Sequence, residues 1–156
     1  MILNYLHGKF RETYKATIGI DIYRKEVDVE SLGKVMLQLW DLSGQEKFAN
    51  FRTKFYSGAS SAIVVLSKTD PDSVSNLKKW VKEFSSFTKS ATLVVLGNKS
   101  DLDSTVSKEI IDGALSNILV DSQDYFDVSA KTGLNVENAF KRIVYRTLEA
   151  YHQIKA

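Results

Sequence analysis

Trp40-Asp41-Leu42-Ser43-Gly44-Gln45-Glu46-Lys47-Phe48 closes the apolar run that begins at Val35-Met36-Leu37-Gln38-Leu39. The run reads as a buried strand, and it gives way to an acid, a small residue, a glycine and an amide. An aspartate at the carboxyl end of a strand can hold Mg²⁺ through water, and a glycine three residues on lets a backbone N–H approach a phosphate oxygen closely. Gln45, next along, could orient a water for in-line attack on that phosphate. A plain turn carrying a solvated Asp and Gln fits the same letters, so this stretch alone leaves both readings open.

Two further stretches have the same form. Leu93-Val94-Val95-Leu96-Gly97 ends in Asn98-Lys99-Ser100-Asp101, and Tyr125-Phe126-Asp127-Val128 ends in Ser129-Ala130-Lys131-Thr132-Gly133. Three apolar strands thus each deliver a polar cluster at the carboxyl end, where open parallel α/β sheets bind their ligands. The chemistry of the clusters is complementary. A carboxylate such as Asp101 can accept from both the N1–H and the exocyclic amine of guanine, an arrangement adenine cannot offer. The aliphatic stems of Lys99 and Lys131 can lie over the faces of a purine.

On these residues the sequence resembles the Ras superfamily of small GTPases, and within it the Rab branch. The resemblance is carried by Thr17-Ile18-Gly19-Ile20-Asp21 (switch I), Trp40 to Phe48 (switch II), Gly97-Asn98-Lys99-Ser100-Asp101-Leu102 and Ser129-Ala130-Lys131-Thr132-Gly133. They occur in the family's order, and the likeness runs along essentially the whole chain. It implies an α/β Ras-like P-loop NTPase fold, a mostly parallel sheet flanked by helices, forming one small-GTPase domain over residues 1–156 that is incomplete at its N-terminus. It implies a switch that binds and hydrolyses GTP and regulates vesicle traffic, with GTP/GDP and Mg²⁺ as cofactors. The residues carried over are Thr17 and Asp41 for Mg²⁺ and Gln45 as the catalytic residue. Those for the nucleotide are Thr17, Gly44, Asn98, Lys99, Asp101, Ser129, Ala130 and Lys131. Effectors, exchange factors and GTPase-activating proteins are implied as partners, reading Ile18 to Phe55. Trp40 would face effectors together with Ile22 and Phe55; Ile22 departs from the usual Phe, and a simple core aromatic is the other reading of Trp40.

The likeness has a gap at the front. Small GTPases begin with a strand, then the phosphate loop Gly-x-x-x-x-Gly-Lys-Ser/Thr, then a helix whose later turns resemble Ile2 to His7. Here Gly-Lys occurs only at Gly8-Lys9 and Gly33-Lys34, and the positions five earlier, Leu3 and Asp28, are not glycine. Such a loop supplies backbone N–H bonds, a lysine and a Ser/Thr ligand for Mg²⁺. Losing about four charge-assisted bonds removes about 6–12 kcal/mol of binding. Affinity then falls by at least about four powers of ten. In the family the missing strand lies between those resembling Val35–Trp40 and Ala62–Leu66, so these two are expected to show unpaired edges unless they pair with each other.

Two explanations of the gap compete. In the first, the sequence is an incomplete copy of a working GTPase and Met1 is an internal methionine. The retention of Thr17, Asp41, Gly44 and Gln45, which serve only Mg²⁺ and the γ-phosphate, favours it. In the second, the chain is a GTPase-like pseudoenzyme that binds partners through the Trp40 face without hydrolysis. A dehydrogenase-type nucleotide protein is disfavoured, because no Gly-x-Gly-x-x-Gly follows a strand.

Composition sets the outer bounds. With 156 residues, 44% apolar and 26% charged, the chain fits one ordinary globular domain. Zero cysteines rule out disulfides, thiolate metal sites, a cysteine nucleophile and prenylation of these residues. No apolar run approaches membrane-spanning length and no signal peptide is visible, so a cytoplasmic monomer is expected, peripheral at endomembranes without an anchor of its own. Lys78-Lys79 and Lys141-Arg142 read as solvated helix faces, which argues against a nucleic-acid partner. His7 and His152 have no neighbouring ligands for a metal, and Ser43 and Ser129 have no triad partner.

The remaining elements follow from pattern. Arg11 to Ala16 reads as a loop, Ile18 to Val29 as β-rich, and Ser31-Leu32-Gly33-Lys34 as a hairpin turn. Ala62 to Leu66 reads as a strand buried on both faces. Asp70-Pro71-Asp72-Ser73 starts a helix that continues from Ser73 to Phe87 and covers the sheet with Val74, Leu77, Val81, Phe84 and Trp80. Val106 to Val120 is a weaker helix interrupted by Gly113. Val136 to Ile154 is a longer one, with Val136, Phe140, Ile143, Val144, Leu148 and Tyr151 on one side.

Overall fold

The structure, a computed structural model, describes residues 1–8, 17–30, 33–88, 91–118 and 122–155. The expected loop at Arg11 to Ala16, the turn residues Ser31 and Leu32, and Leu119 and Val120 lie outside these. In chain order the elements are α1 (Ile2–His7), β1 (Ile20–Val29), β2 (Gly33–Leu42), α2 (Ala49–Arg52) between two 3-10 turns, and β3 (Ser61–Ser67). Then come α3 (Pro71–Ser75), α4 (Leu77–Ser85), β4 (Thr92–Asn98), α5 (Lys108–Ser116), β5 (Tyr125–Asp127) and α6 (Val136–Lys155).

β1 and β2 form an antiparallel hairpin in register from Ile20 opposite Leu42 to Val29 opposite Gly33. Gly33 starts β2 at φ 71°, a backbone conformation that costs a glycine nothing and most residues much. β3, β4 and β5 form a parallel sheet in that order, with α3 and α4 crossing over between the first two and α5 between the last two. Among the described residues no ladder joins β2 to β3. Side chains span the gap instead. Leu37 and Leu39 from the hairpin and Ile63 from β3 pack on one core cluster with Tyr5, Val94, Leu96, Val128 and Phe140.

β4 is the centre of the molecule. Successive side chains on a strand point to opposite faces, so Val94 and Leu96 enter that first cluster while Val95 enters a second with Leu66, Val74, Leu77, Ile111 and Leu115. A strand covered on both faces must be apolar throughout, and each such side chain contributes about 1.5–3 kcal/mol. The same coverage was expected of Ala62 to Leu66, and here the structure corrects the reading. Val65 is 44% exposed and Leu66 alone is fully buried, because β3 is an edge of its sheet. β2 is likewise not a buried strand: Val35, Leu37 and Leu39 turn inward while Met36 and Trp40 stay 59% and 41% exposed. A two-stranded antiparallel ribbon has only one face to lay on a core.

The helices follow their capping chemistry. The Asp70 side chain accepts from the N–H groups of Asp72 and Ser73 at 3.1 and 3.4 Å, with Pro71 at the first helical position. That cap is worth about 1 kcal/mol. The single helix expected from Ser73 to Phe87 is divided at Asn76 into α3 and α4, and Asn76 Nδ2 donates to the Asp72 carbonyl at 2.8 Å. α5 is shorter than read and keeps Gly113 inside it. On α6, Val136, Phe140, Ile143 and Val144 are buried, whereas Tyr151 is exposed. Two side chains meet charged partners. Trp80 lies under the Arg52 guanidinium at 4.7 Å, and Arg142 leaves the solvated face to donate to the buried Asp124 at 2.7 Å.

Candidate functional site

The loops that follow β4 and β5 are stitched to one another. Ser100 N–H donates to the Val128 carbonyl at 3.1 Å, and Ala130 N–H to Asn98 Oδ1 at 2.9 Å. Ser129 Oγ donates to Asp101 Oδ1 at 2.6 Å and accepts from Thr132 N–H at 3.0 Å. Lys99 adopts φ 67°, which turns the chain sharply enough for Leu102 N–H to reach the Lys99 carbonyl at 3.0 Å. Asn98, Lys99, Asp101, Ser129, Ala130 and Lys131 therefore sit together at the carboxyl edge of the parallel sheet. The Ser129 hydroxyl, helped by the Asp101 backbone N–H and the Lys131 charge, outweighs desolvation and holds the Asp101 carboxyl below its ordinary value. At neutral pH that exposed group is an anionic acceptor. The Lys99 ammonium reaches Thr69 Oγ1 at 3.3 Å.

Gly97 is required by what stands beside it. A Cβ there would run into the Tyr125 hydroxyl and lie 2.9 Å from Asp127 Oδ1 and 3.0 Å from Tyr125 Cζ. Tyr125 donates to Asp127 at 2.8 Å and Lys68 pairs with the same carboxylate at 3.0 Å, so the ends of β3, β4 and β5 are tied across this glycine.

The second group lies at the end of the hairpin. Thr17 Oγ1 donates to Asp41 Oδ2 at 3.0 Å, and Ser43 N–H continues the ladder to the Gly19 carbonyl at 3.0 Å. Both oxygens are hard donors of the kind Mg²⁺ selects. Gly44 lies against Trp80, and Gln45 is exposed, its N–H 3.3 Å from Ser43 Oγ. α1 connects the two groups. The amino group of Met1 lies within electrostatic reach of Asp41, and Asn4 Oδ1 lies 3.3 Å from where a Cβ on Gly133 would stand. The first residues of α1 thus lie between the hairpin end and the Ser129–Gly133 loop.

Beside this edge is an apolar surface. Trp40 is cross-strand partner to Ile22, its ring centroid is 5.4 Å from that of Phe55, and Phe51 meets Phe55 edge-on at 5.0 Å. Trp40, Ile22, Phe51 and Ile18 are all exposed, which excludes the reading of Trp40 as a core aromatic.

One constellation had no sequence signal. Arg52, buried on α2, donates through Nε and Nη2 to both Glu83 oxygens at 2.7 and 2.8 Å and through Nη1 to the Gln45 carbonyl at 3.1 Å. Tyr56 donates to the same Glu83 at 2.7 Å. An arginine and a glutamate 31 residues apart carry no spacing rule; only tertiary placement makes them a pair.

A model of the Ras family matches residues 1–149. The chain belongs to the Ras family, and it is a small GTPase of Rab type by its relatives. It is 34% identical over 144 residues to GTP-binding protein ypt1 of Schizosaccharomyces pombe, covering 90% of this chain and 68% of that one. It is 34% identical over 146 residues to Ras-related protein RABE1d of Arabidopsis thaliana, covering 92% and 66%. To Ras-related protein Rab7 of Pisum sativum it is 37% identical over 158 positions, covering 94% and 74%. The chain thus spans about two thirds to three quarters of the length of these relatives.

Proposed function

We propose that this chain is a guanine-nucleotide switch of the Rab type that acts in vesicle traffic, with GTP/GDP and Mg²⁺ bound at the edge built by the hairpin end and the loops after β4 and β5. The observation that carries the reading is the Ser129–Asp101 and Ala130–Asn98 stitching beside the Thr17–Asp41 pair. Asp101, kept anionic, accepts from guanine N1–H and the exocyclic amine; Ala130 N–H serves the guanine carbonyl, sharing its proton with Asn98. Ser129 orients Asp101, and the stems of Lys99 and Lys131 flank the base. Thr17 and Asp41 fit Mg²⁺, which when bound supplies charge neutralisation at the phosphates. Gly44 and Gln45 follow on the same segment, the first for the γ-phosphate and the second to orient a water. Effectors, exchange factors and activating proteins read the face of Ile18, Ile22, Trp40 and Phe55. In the absence of a phosphate-loop motif among these 156 residues, the base, not the triphosphate, carries the binding that they provide.

The test is base preference. Residues 1–156 should prefer GDP to ADP in calorimetric titrations taken to millimolar nucleotide. Asp101→Asn replaces one acceptor by a donor and should shift that preference from guanine to xanthine, whose C2 carbonyl accepts. Equal binding of ADP and GDP, or no change of preference in the variant, would overturn the assignment.

A further inference from the structure

Lys68 follows directly on β3, and nothing in the nucleotide chemistry above uses it. It nevertheless bonds to three segments around the guanine loops. Its N–H donates to the Asn98 carbonyl at 3.0 Å, carrying the pairing of β3 with β4 past the last ladder pair, Ser67 and Asn98. Its carbonyl accepts from the Thr105 N–H and the Ser104 hydroxyl, each at 3.0 Å, which holds the chain just beyond Asp101. Its ammonium pairs with Asp127 Oδ1 at 3.0 Å, at the end of β5 and two residues ahead of Ser129. The Lys68 side chain is only 19% exposed, so this pair is partly shielded from water. Asp127 is held in turn, its carboxylate by Tyr125 at 2.8 Å and its carbonyl by Asn135 Nδ2 at 2.9 Å. Gly97 leaves the space for the pair, since a Cβ there would lie 2.9 Å from the same Asp127 oxygen.

We propose that Lys68 is a positioning residue for base recognition: through its backbone it holds the Asn98–Asp101 loop, through Asp127 it holds the Ser129–Lys131 loop, and so it sets the distance between them. The backbone bonds alone would fix only the first loop; the ammonium ties it to the second. A base needs both at once, because Asp101 comes from one loop and the Ala130 N–H from the other. The bonds that join the loops directly, Ser129 to Asp101 at 2.6 Å and Ala130 to Asn98 at 2.9 Å, weaken steeply once their geometry is lost. Thr69 adds to the same turn by accepting from the Lys99 ammonium at 3.3 Å, which steadies a stem placed beside the base. The inference rests on the guanine reading for its consequence, whereas the linkage of the two loops is independent of it. The role calls for a long stem that ends in a cation, since a charge-assisted bond to Asp127 is what closes the link.

The experiment follows the whole chain by NMR without nucleotide and then by calorimetric titration with GDP and ADP. Lys68→Met keeps the stem and deletes the charge. It should speed exchange of the Ala130 and Thr132 N–H groups by about three- to tenfold, the span of a partly shielded charge-assisted bond. It should also raise the Asp101 carboxyl toward its ordinary value, as the Ser129 hydroxyl loses its aim. Asp127→Asn keeps an acceptor for Tyr125 and should act the same way, with the double variant adding little to the larger single effect. Lys68→Arg, which restores a cation on a long stem, should return both readouts. In the titrations Lys68→Met should narrow the preference for GDP over ADP by about threefold or more, the same order as the lost bond. Val144→Ala, a loss of buried volume on α6, should leave the Asp101 titration and the base preference unmoved. Unmoved exchange and titration in both Lys68→Met and Asp127→Asn, an equal change in Val144→Ala, or no recovery in Lys68→Arg would overturn the proposal. Equal binding of GDP and ADP by the unaltered chain would instead strike the guanine reading, while the nucleotide-free readouts still decide whether Lys68 links the loops.

Discussion

Gly97→Ala would introduce a methyl group where the sheet has no room for one. The added carbon would overlap the Tyr125 hydroxyl and sit 2.9 Å from Asp127 Oδ1 and 3.0 Å from Tyr125 Cζ, against an ordinary separation of about 3.5–4.0 Å. β4 cannot retreat, since Val94, Val95 and Leu96 on either side of it are fully buried. The tyrosine must move. Swinging its ring off a favoured rotamer costs about 0.5–1.5 kcal/mol. The hydrogen bond to the Asp127 carboxylate, lost in the process, is worth about 1.5–3 kcal/mol. We expect Gly97→Ala to destabilise by about 2–4 kcal/mol in urea unfolding with an unchanged slope, a range that also covers ordinary overpacking. Tyr125→Phe removes the oxygen that the methyl would strike. The double variant Gly97→Ala/Tyr125→Phe should therefore be less destabilised than the sum of its singles by at least about 1 kcal/mol. Additive singles, or a Gly97→Ala cost below about 0.5 kcal/mol, would refute the claim that the strand ends are tied across this glycine.

Three further outcomes follow from the same geometry. Asp101 has a folded pKa below its unfolded value, so its contribution to stability is complete above the unfolded pKa of about 3.9 and is lost as pH falls through the lower, folded one. Ser129→Ala should raise the Asp101 pKa in a carbon-detected NMR titration and remove that part of the acid limb; an unmoved titration would show that the hydroxyl does not hold it. Phe140→Ala, which deletes a ring stacked on Tyr5 at 3.7 Å, should cost about 3–5 kcal/mol in urea and free α1 to exchange its amides; a cost under about 1 kcal/mol would mean that α1 is not seated there. Residues 1–156 should bind GDP more weakly than micromolar in titration calorimetry, and sub-micromolar affinity would show that phosphate grip comes from residues not recognised here.

Much of this was readable in the order of residues. The polar clusters after β2, β4 and β5 sit at the carboxyl ends of the three strands that pattern predicted, because a cluster that breaks an apolar run has to leave the sheet. The Asp70-Pro71 cap was equally local. What failed concerned neighbours. Val65 and Leu66 are alike in sequence, yet the first is exposed and the second is not, since nothing covers the outer face at that edge. Sequence alone reads Trp80 as covering the sheet and Arg142 as solvated, and each meets a charged partner brought in from elsewhere, Arg52 and Asp124.

Local chemistry thus dictated the strands, the caps and the identity of the groups offered to a ligand, for periodicity and composition act over a few residues. Placement was decided in three dimensions: that Thr17 meets Asp41 and Ser129 meets Asp101, that β3 is an edge, and that Arg52 joins Glu83 to the Gln45 backbone. A buried charge is stable only where its partners converge, and convergence across 24 to 31 residues of chain is a property of the packed fold alone.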